Sequence, residues 1–255
     1  MLIDYLYFNP TGNMTALVTS AVPFHMRKSA ADAIMQTETG CEQVGFLSFE
    51  DGVRLDMTGG EFCGNASMCA GIAAFLKNKN SDAALQSADI SIGICGSEYP
   101  VSVRQISAKD FECTLEAADV PEGIKHAVTE CSEIIKINAE YEIRKCFEKY
   151  LPDAAVSGYD PSADARGLMF LSGTQLTPLV YVPQADTLFW ENSCASGSMA
   201  AGKYLFEKIG KPVETDLQMP GGIINVKCDG SGIRLAEKIK LVAERSLFFD
   251  LPSAE

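Results

Sequence analysis

The chain has 255 residues, 47% hydrophobic and 22% charged, the composition of a water-soluble globular protein large enough to bury an ordinary core. Its formal net charge of −13 argues against nucleic acid as a partner, because phosphate binding needs a Lys/Arg surface. The opening MLIDYLYFNP has neither a basic region nor a long apolar run, and no stretch reaches the roughly 20 apolar residues that cross a bilayer, so a cytoplasmic protein is expected.

LIDYLYF and TALVTS read as strands around the turn-forming Asn9-Pro-Thr-Gly-Asn13. Ser29 is placed to cap a short helix through ADAIMQT that ends near Gly40. VGFLSF and VRLDM flank Glu50-Asp-Gly52 as a hairpin. The small, apolar run ASMCAGIAAFLKNK after Cys63 predicts a buried helix, and ISIGI, YPVSVRQI and FECTLEAADV follow as strands. In the second half Asn138 is placed to cap a helix through AEYEIRKCFEKYL, which Pro152 ends. GLMFLS and LTPLVYVP are strand-like, TLFWEN leads into Cys194, and the helix GSMAAGKYLFEKI stops at Gly210. GGIINVKC, IRLAEKI and LVAERSLFF close the chain as three strands. Many short strands with a buried helix in each half predict an α+β fold of two similar lobes.

One pattern occurs twice. Residues 63–71 and 194–202 both read C-x-x-x-S-M-x-A-G, and the two cysteines stand 131 residues apart, about half the chain. Nine cysteines is an odd number, and with no export signal they read as free thiols in a reducing compartment. Cys63 and Cys69 are six apart without a CxxC companion, which argues against zinc.

Each repeated cysteine is expected to end a strand and stand immediately before a helix. The free N–H groups and positive end of that helix would favour thiolate, lowering the thiol from its usual pKa of about 8.5. The same N–H groups suit a carboxylate. Removing the α-proton of an amino acid builds charge on its carboxylate, which such donors stabilise. One thiolate then takes the proton while an opposing thiol delivers another, inverting the centre. Two small packing residues ahead of helices are the plain alternative, and the shared S-M-x-A-G ending favours chemistry.

The set FNPTGNMT, CEQVGF, GGEFCGNASM, LVYVPQADTLFWENSCASGS and MPGG resembles the diaminopimelate-epimerase-like superfamily of pyridoxal-independent amino acid racemases. Within it, WENSC and NPTGNMT resemble the histidine racemase branch, which includes the enzyme making D-histidine for staphylopine-type metallophores. The motifs run from residue 8 to 222, so the resemblance covers nearly the whole chain. It implies two pseudo-symmetric lobes, each with strands wrapped round a central helix. The lobes would be 1–118, to which 241–255 returns, and 119–240. By position, Cys63 and Cys194 are like the family's acid/base thiols. Gly64, Asn65, Ala195 and Ser196 match the positions whose backbone amides grip the substrate carboxylate. Asn13 and Gln43 match polar residues near the α-carbon groups. Glu191 matches a glutamate ahead of the second cysteine that, together with a histidine, supports the thiols and the substrate amine. His126 matches a supporting histidine, although the Asn-Pro that should precede it is missing. His25 has no such match and reads as structural. The resemblance implies no cofactor or metal, an amino acid as the only partner, and is compatible with a homodimer.

The departures concern the substrate. Diaminopimelate epimerases carry an arginine after the glutamate to hold a distal carboxylate; here Asn192 stands in its place. Asparagine cannot duplicate a bidentate cation, which argues for a different side chain, histidine by resemblance. Diaminopimelate epimerisation, racemisation of another amino acid, a non-racemising isomerase, a binding protein and a thiol redox protein remain the alternatives. The cysteine pair counts against the isomerase and the binding protein, and the lack of CxxC against the redox protein.

Overall fold

A computed structural model describes residues 1–79, 86–131, 165–184 and 187–249. The helix expected after Asn138 lies outside them. The chain divides into two compact units, one comprising Met1–Thr58, Asn65–Leu115 and the chain from Lys238 on, the other Gly59–Gly64 and Glu116–Glu237. The fold is rich in strands and has few helices.

The first unit is built on strands β1 (Leu2–Pro10), β2 (Thr15–Val18), β3 (Gln43–Ser48), β4 (Val53–Met57), β5 (Ser87–Ile94), β6 (Ser97–Gln105) and β7 (Asp110–Ala117). These neighbour one another in chain order, and the end of β14 (Ile233–Phe248) pairs with β1 and follows β7, so the strands close on themselves as a barrel. Closure removes the free edges that invite unwanted pairing. Helix α1 (Arg27–Thr37) buries Ala30, Ala31 and Ile34 against Tyr5, Tyr7, Val44 and Phe46. Helix α2 (Gly64–Lys79) is buried from Gly64 through Phe75, as a helix apolar all round must be. Its small residues let strands come close: a Cβ at Gly71 would lie 2.6 Å from Val101 Cγ1 on β6. Phe75 meets Phe111 of β7 edge-on, ring centroids 6.1 Å apart.

The second unit contains β8 (Ile124–Glu130), β9 (Ala165–Ser172), β10 (Gln175–Val182), β11 (Thr187–Trp190), β12 (Val213–Met219), β13 (Gly222–Cys228) and the start of β14. Its strand order is β14-β13-β12-β10-β9-β8, with β11 beside β10. Helix α3 (Ala195–Ile209) turns its buried residues Ala195–Gly202 inward. It ends as expected at Gly210, whose left-handed φ of 71° lets its N–H bond Phe206 O at 2.8 Å.

Four expectations need correction. Ser29 caps nothing: the helix begins earlier, after a 3-10 turn over Phe24–Met26, and Ser29 lies inside α1. IRLAEKI and LVAERSLFF are one strand of 16 residues, because no glycine or proline interrupts them and the lysines simply occupy outward positions. Strands β8 and β12 were not expected. Cys63 does not end a strand, since Thr58–Cys63 is turn and loop after β4, and Glu191–Cys194 likewise forms a loop after β11. Among the described residues no helix is long and apolar enough to cross a membrane.

Candidate active site

Cys194 is the N-cap of α3, with φ −143° and ψ 107°. Its sulfur accepts the Gly197 N–H at 3.3 Å, and its carbonyl accepts both the N–H and the hydroxyl of Ser198 at 2.9 Å. A sulfur thus does what a serine or aspartate oxygen usually does at this position, satisfying an orphan helix donor. The Cys194 N–H points at Met219 Sδ, 3.3 Å away, and Gly221 N–H bonds Asn192 O at 2.8 Å. The MPGG segment therefore braces the loop that carries the thiol.

Glu191 is set by its neighbours. Trp190 pairs with Leu179 across β10 and β11 and packs on Phe170, centroids 5.7 Å apart, while Glu191 N–H bonds Pro178 O at 3.0 Å. From there the Glu191 carboxylate reaches the Cys194 thiol and accepts its hydrogen bond. Ser196 Oγ lies 3.4 Å from Cys194 Sγ and 3.0 Å from His126 Nε2, so a hydroxyl joins the histidine of β8 to the thiol. His126 sits opposite Gly167 in the parallel β8–β9 pair, and a Cβ at Gly167 would lie 2.6 Å from its Nδ1. Only glycine leaves the imidazole that room.

Burial and then the Glu191 charge push the Cys194 thiol well above its ordinary range, against the hydrogen bonds from Ser196 and Gly197 that pull it down. This corrects the expected lowering. The helix N-terminus supplies its donors, but desolvation of the anion and a neighbouring carboxylate outweigh them. Cys194 is a thiol at neutral pH.

Burial also pushes His126 down from 6.5 to about 4, so its imidazole is neutral near pH 7. The sign of the effect on stability follows. Between about 4 and 6.5 the unfolded chain holds a proton that the folded chain refuses, so stability falls as pH drops through that window. Urea unfolding at both ends of the window should show a smaller loss for His126→Gln than for the wild type. Equal losses would contradict the burial of the ring.

Cys63 is buried one residue before α2. Within the second unit Gly64 approaches Ala195 so closely that a Cβ at Gly64 would lie 2.8 Å from the Ala195 Cβ. The residues that follow the two repeated cysteines are thus side by side. In the first unit Asn13, Gln43 and Asn65 gather at one end of the strands. Asn13 N–H and Asn65 Nδ2 both bond Pro10 O, at 3.0 and 3.5 Å, and Gln43 N–H reaches Met14 O at 3.3 Å. Asn13 and Asn65 are buried. His25 is exposed in the 3-10 turn.

The hydroxyl of Ser196 and the sulfur of Met219 were missed by the sequence reading, which gave Ser196 only a backbone role. The C-A-S-G spacing held the one available signal, a hydroxyl two residues after an N-cap thiol.

The family model described as the histidine racemase CntK N-terminal domain matches residues 2–248. The chain belongs to this family. It is 27% identical over 271 residues to a histidine racemase of Fusobacterium nucleatum subsp. nucleatum, covering 97% of each chain. It is also 27% identical over 248 residues to a histidine racemase of Staphylococcus aureus, covering 88% of each. A hydroxyproline epimerase from Agrobacterium vitis, solved with bound trans-4-hydroxy-L-proline, superposes with a TM-score of 0.64 at 11% identity over 98% of this chain and 94% of that one. That likeness is one of fold. In this histidine racemase family member, the groups assembled at the start of α3 comprise a thiol, a carboxylate that accepts its hydrogen bond, and a hydroxyl that lies between it and a neutral imidazole.

Proposed function

We propose that the chain is a cofactor-independent racemase that interconverts L- and D-histidine, with Cys63 and Cys194 as its two acid/base groups. The approach of Gly64 to Ala195 carries this reading, because it sets the N-termini behind the two thiols together. Their amides offer one place where an amino acid carboxylate meets donors from both helices. Membership of the histidine racemase family and the two relatives named above support the substrate.

In this mechanism Cys194, a thiol in the resting state, delivers a proton to one face of the α-carbon while Cys63 as thiolate takes the proton from the other. In the opposite direction the roles exchange: Cys194, left as thiolate by that turnover, takes the proton and Cys63, now a thiol, delivers one, while Glu191 accepts the hydrogen bond of Cys194 in its thiol form. Ala195 and Ser196 contribute backbone amides with Gly64, and Asn13, Gln43 and Asn65 keep the substrate-binding roles that the resemblance implies. The two units are read as the lobes of a diaminopimelate-epimerase-like fold, supported by the C-x-x-x-S-M-x-A-G repeat at the start of α2 and α3. The reading is completed by a cytoplasmic setting and by a D-histidine product that feeds metallophore synthesis, as the family resemblance implies.

The test is incubation of the reduced protein with L-histidine, L,L-diaminopimelate and other L-amino acids separately, followed by chiral chromatography. Histidine should be turned over well above the rest, by as much as ~10⁴-fold where buried polar partners of the ring would be left unpaired. Asn192 offers no bidentate cation to a distal carboxylate. Faster turnover of diaminopimelate than of histidine would overturn the substrate while leaving the thiol pair in place.

A further inference from the structure

The turn between β1 and β2 is strained at one residue. Pro10 O accepts the Asn13 N–H at 3.0 Å, and the two residues between them, Thr11 and Gly12, have φ of 51° and 89°. Positive φ at both central positions marks a type I′ turn, which glycine, asparagine and aspartate enter readily. Gly12 suits its place. Thr11 does not, because a branched Cβ crowds the backbone in the left-handed region. Among the described residues only Cys95 shares such a φ without being glycine, and it is unbranched and exposed at the tip of the β5–β6 hairpin. The neighbours hold the turn in place. Asn9 Oδ1 accepts the Gly12 N–H at 2.7 Å, Asn65 Nδ2 bonds Pro10 O at 3.5 Å, and Pro10 pairs with Ile239 of β14. Asparagine or glycine at position 11 would make the same turn with less strain, so the turn itself does not call for threonine.

We propose that Thr11 is a substrate-binding residue: its hydroxyl, carried on the strained turn, hydrogen-bonds the bound amino acid. The inference rests on the reading of the chain as a histidine racemase and adds one contact to those assigned to Asn13, Gln43 and Asn65. Strained residues persist where their surroundings over-determine them, and they gather at ligand sites. Thr11 has that setting. It stands two residues before the buried Asn13, and the carbonyl just ahead of it is held by Asn65, two residues after Cys63. It is half-buried at the end of the strands where these polar side chains gather. Of the two groups on its Cβ, the hydroxyl is the one that can bond a polar ligand, as donor or as acceptor.

Thermal unfolding and histidine racemisation, measured on the same variants, test this. Thr11→Gly removes the strain together with the side chain, so Tm should rise by about 2–4 °C. Its kcat/KM should nevertheless fall about tenfold, chiefly through KM, as the loss of one binding hydrogen bond requires. Thr11→Val keeps the branched Cβ and its strain but not the hydroxyl. It should lose as much kcat/KM with Tm near the wild-type value. Thr11→Ser keeps the hydroxyl and should recover most of what Thr11→Val loses. A lower Tm in Thr11→Gly would show that the side chain serves the fold. An undiminished kcat/KM in Thr11→Val, or a Thr11→Ser variant as slow as Thr11→Val, would show that the hydroxyl meets no substrate. Any of these results overturns the proposal. Wild-type racemisation measured alongside separates the two levels. If it is present and Thr11→Val matches it, this inference alone fails. If it is absent for every amino acid, the racemase reading fails and the inference with it.

Discussion

Cys63→Ala and Cys194→Ala should each lower racemisation by about 10³-fold or more, within the range that a lost general acid or base costs. Each face of the α-carbon has one proton-transfer group, so neither thiol has a substitute. The loss should fall on inversion rather than on all chemistry. A lone thiol can still exchange the α-proton on its own face, and each variant should keep slow exchange of one enantiomer without forming the other. Incubation in D₂O with L-histidine, and separately with D-histidine, followed by chiral chromatography and mass analysis of each enantiomer, reads both. Racemisation within about tenfold of wild type in either variant would remove the two-base mechanism, since that is far less than a lost acid/base group costs. Cys69 and Cys113, buried in the first unit and outside the repeat's first position, should tolerate alanine in the same assay.

Gly64→Val should be nearly as damaging without touching a reacting group. The first atom of the new side chain would already lie 2.8 Å from Ala195 Cβ, inside any real contact distance, and the branches of valine add to the clash. Both partners are backbone-proximal atoms in buried helix starts, so no flexible side chain can yield. Relief requires the residues after Cys63 and Cys194 to separate. A misplacement of roughly 1 Å at a reacting centre costs on the order of 10² in rate, and kcat/KM for histidine should fall by about that much. Unfolding in urea, run beside the kinetics, distinguishes displaced groups from a collapsed fold. An active, stable Gly64→Val protein would show that the approach of the two helix starts is dispensable.

The parts legible in the sequence were those whose residues carry their own context. Helices α2 and α3 announce themselves by small, apolar runs directly after a repeated cysteine, and the β3–β4 hairpin by Glu50-Asp-Gly52. Strands β8 and β12 do not. IKHAVTE and VETDLQM place charged or polar residues on outward positions, and in β12 only Leu217 and Met219 are buried, so the apolar alternation is too sparse to register. Their strand state comes from pairing with β9 and β13. The same holds at the site. The proximity of Glu191 to Cys194 follows from three residues of chain. His126 and Ser196 are 70 residues apart and meet only because β8 and α3 lie together. The protonation of Cys194 was misjudged because a helix N-terminus is visible in sequence, whereas burial of the sulfur and the aim of a carboxylate are not.

The most direct measurement is the isotopic course of a single inversion. With L-histidine in D₂O, opposed thiols predict that the first D-histidine formed carries one deuterium at the α-carbon, while recovered L-histidine gains deuterium more slowly. A single base shuttling one proton between faces would return D-histidine that keeps its α-protium. Mass analysis of the separated enantiomers at low conversion decides between them: deuterated D-histidine with largely protiated L-histidine is the predicted result, and protiated D-histidine, or none at all, would contradict the account.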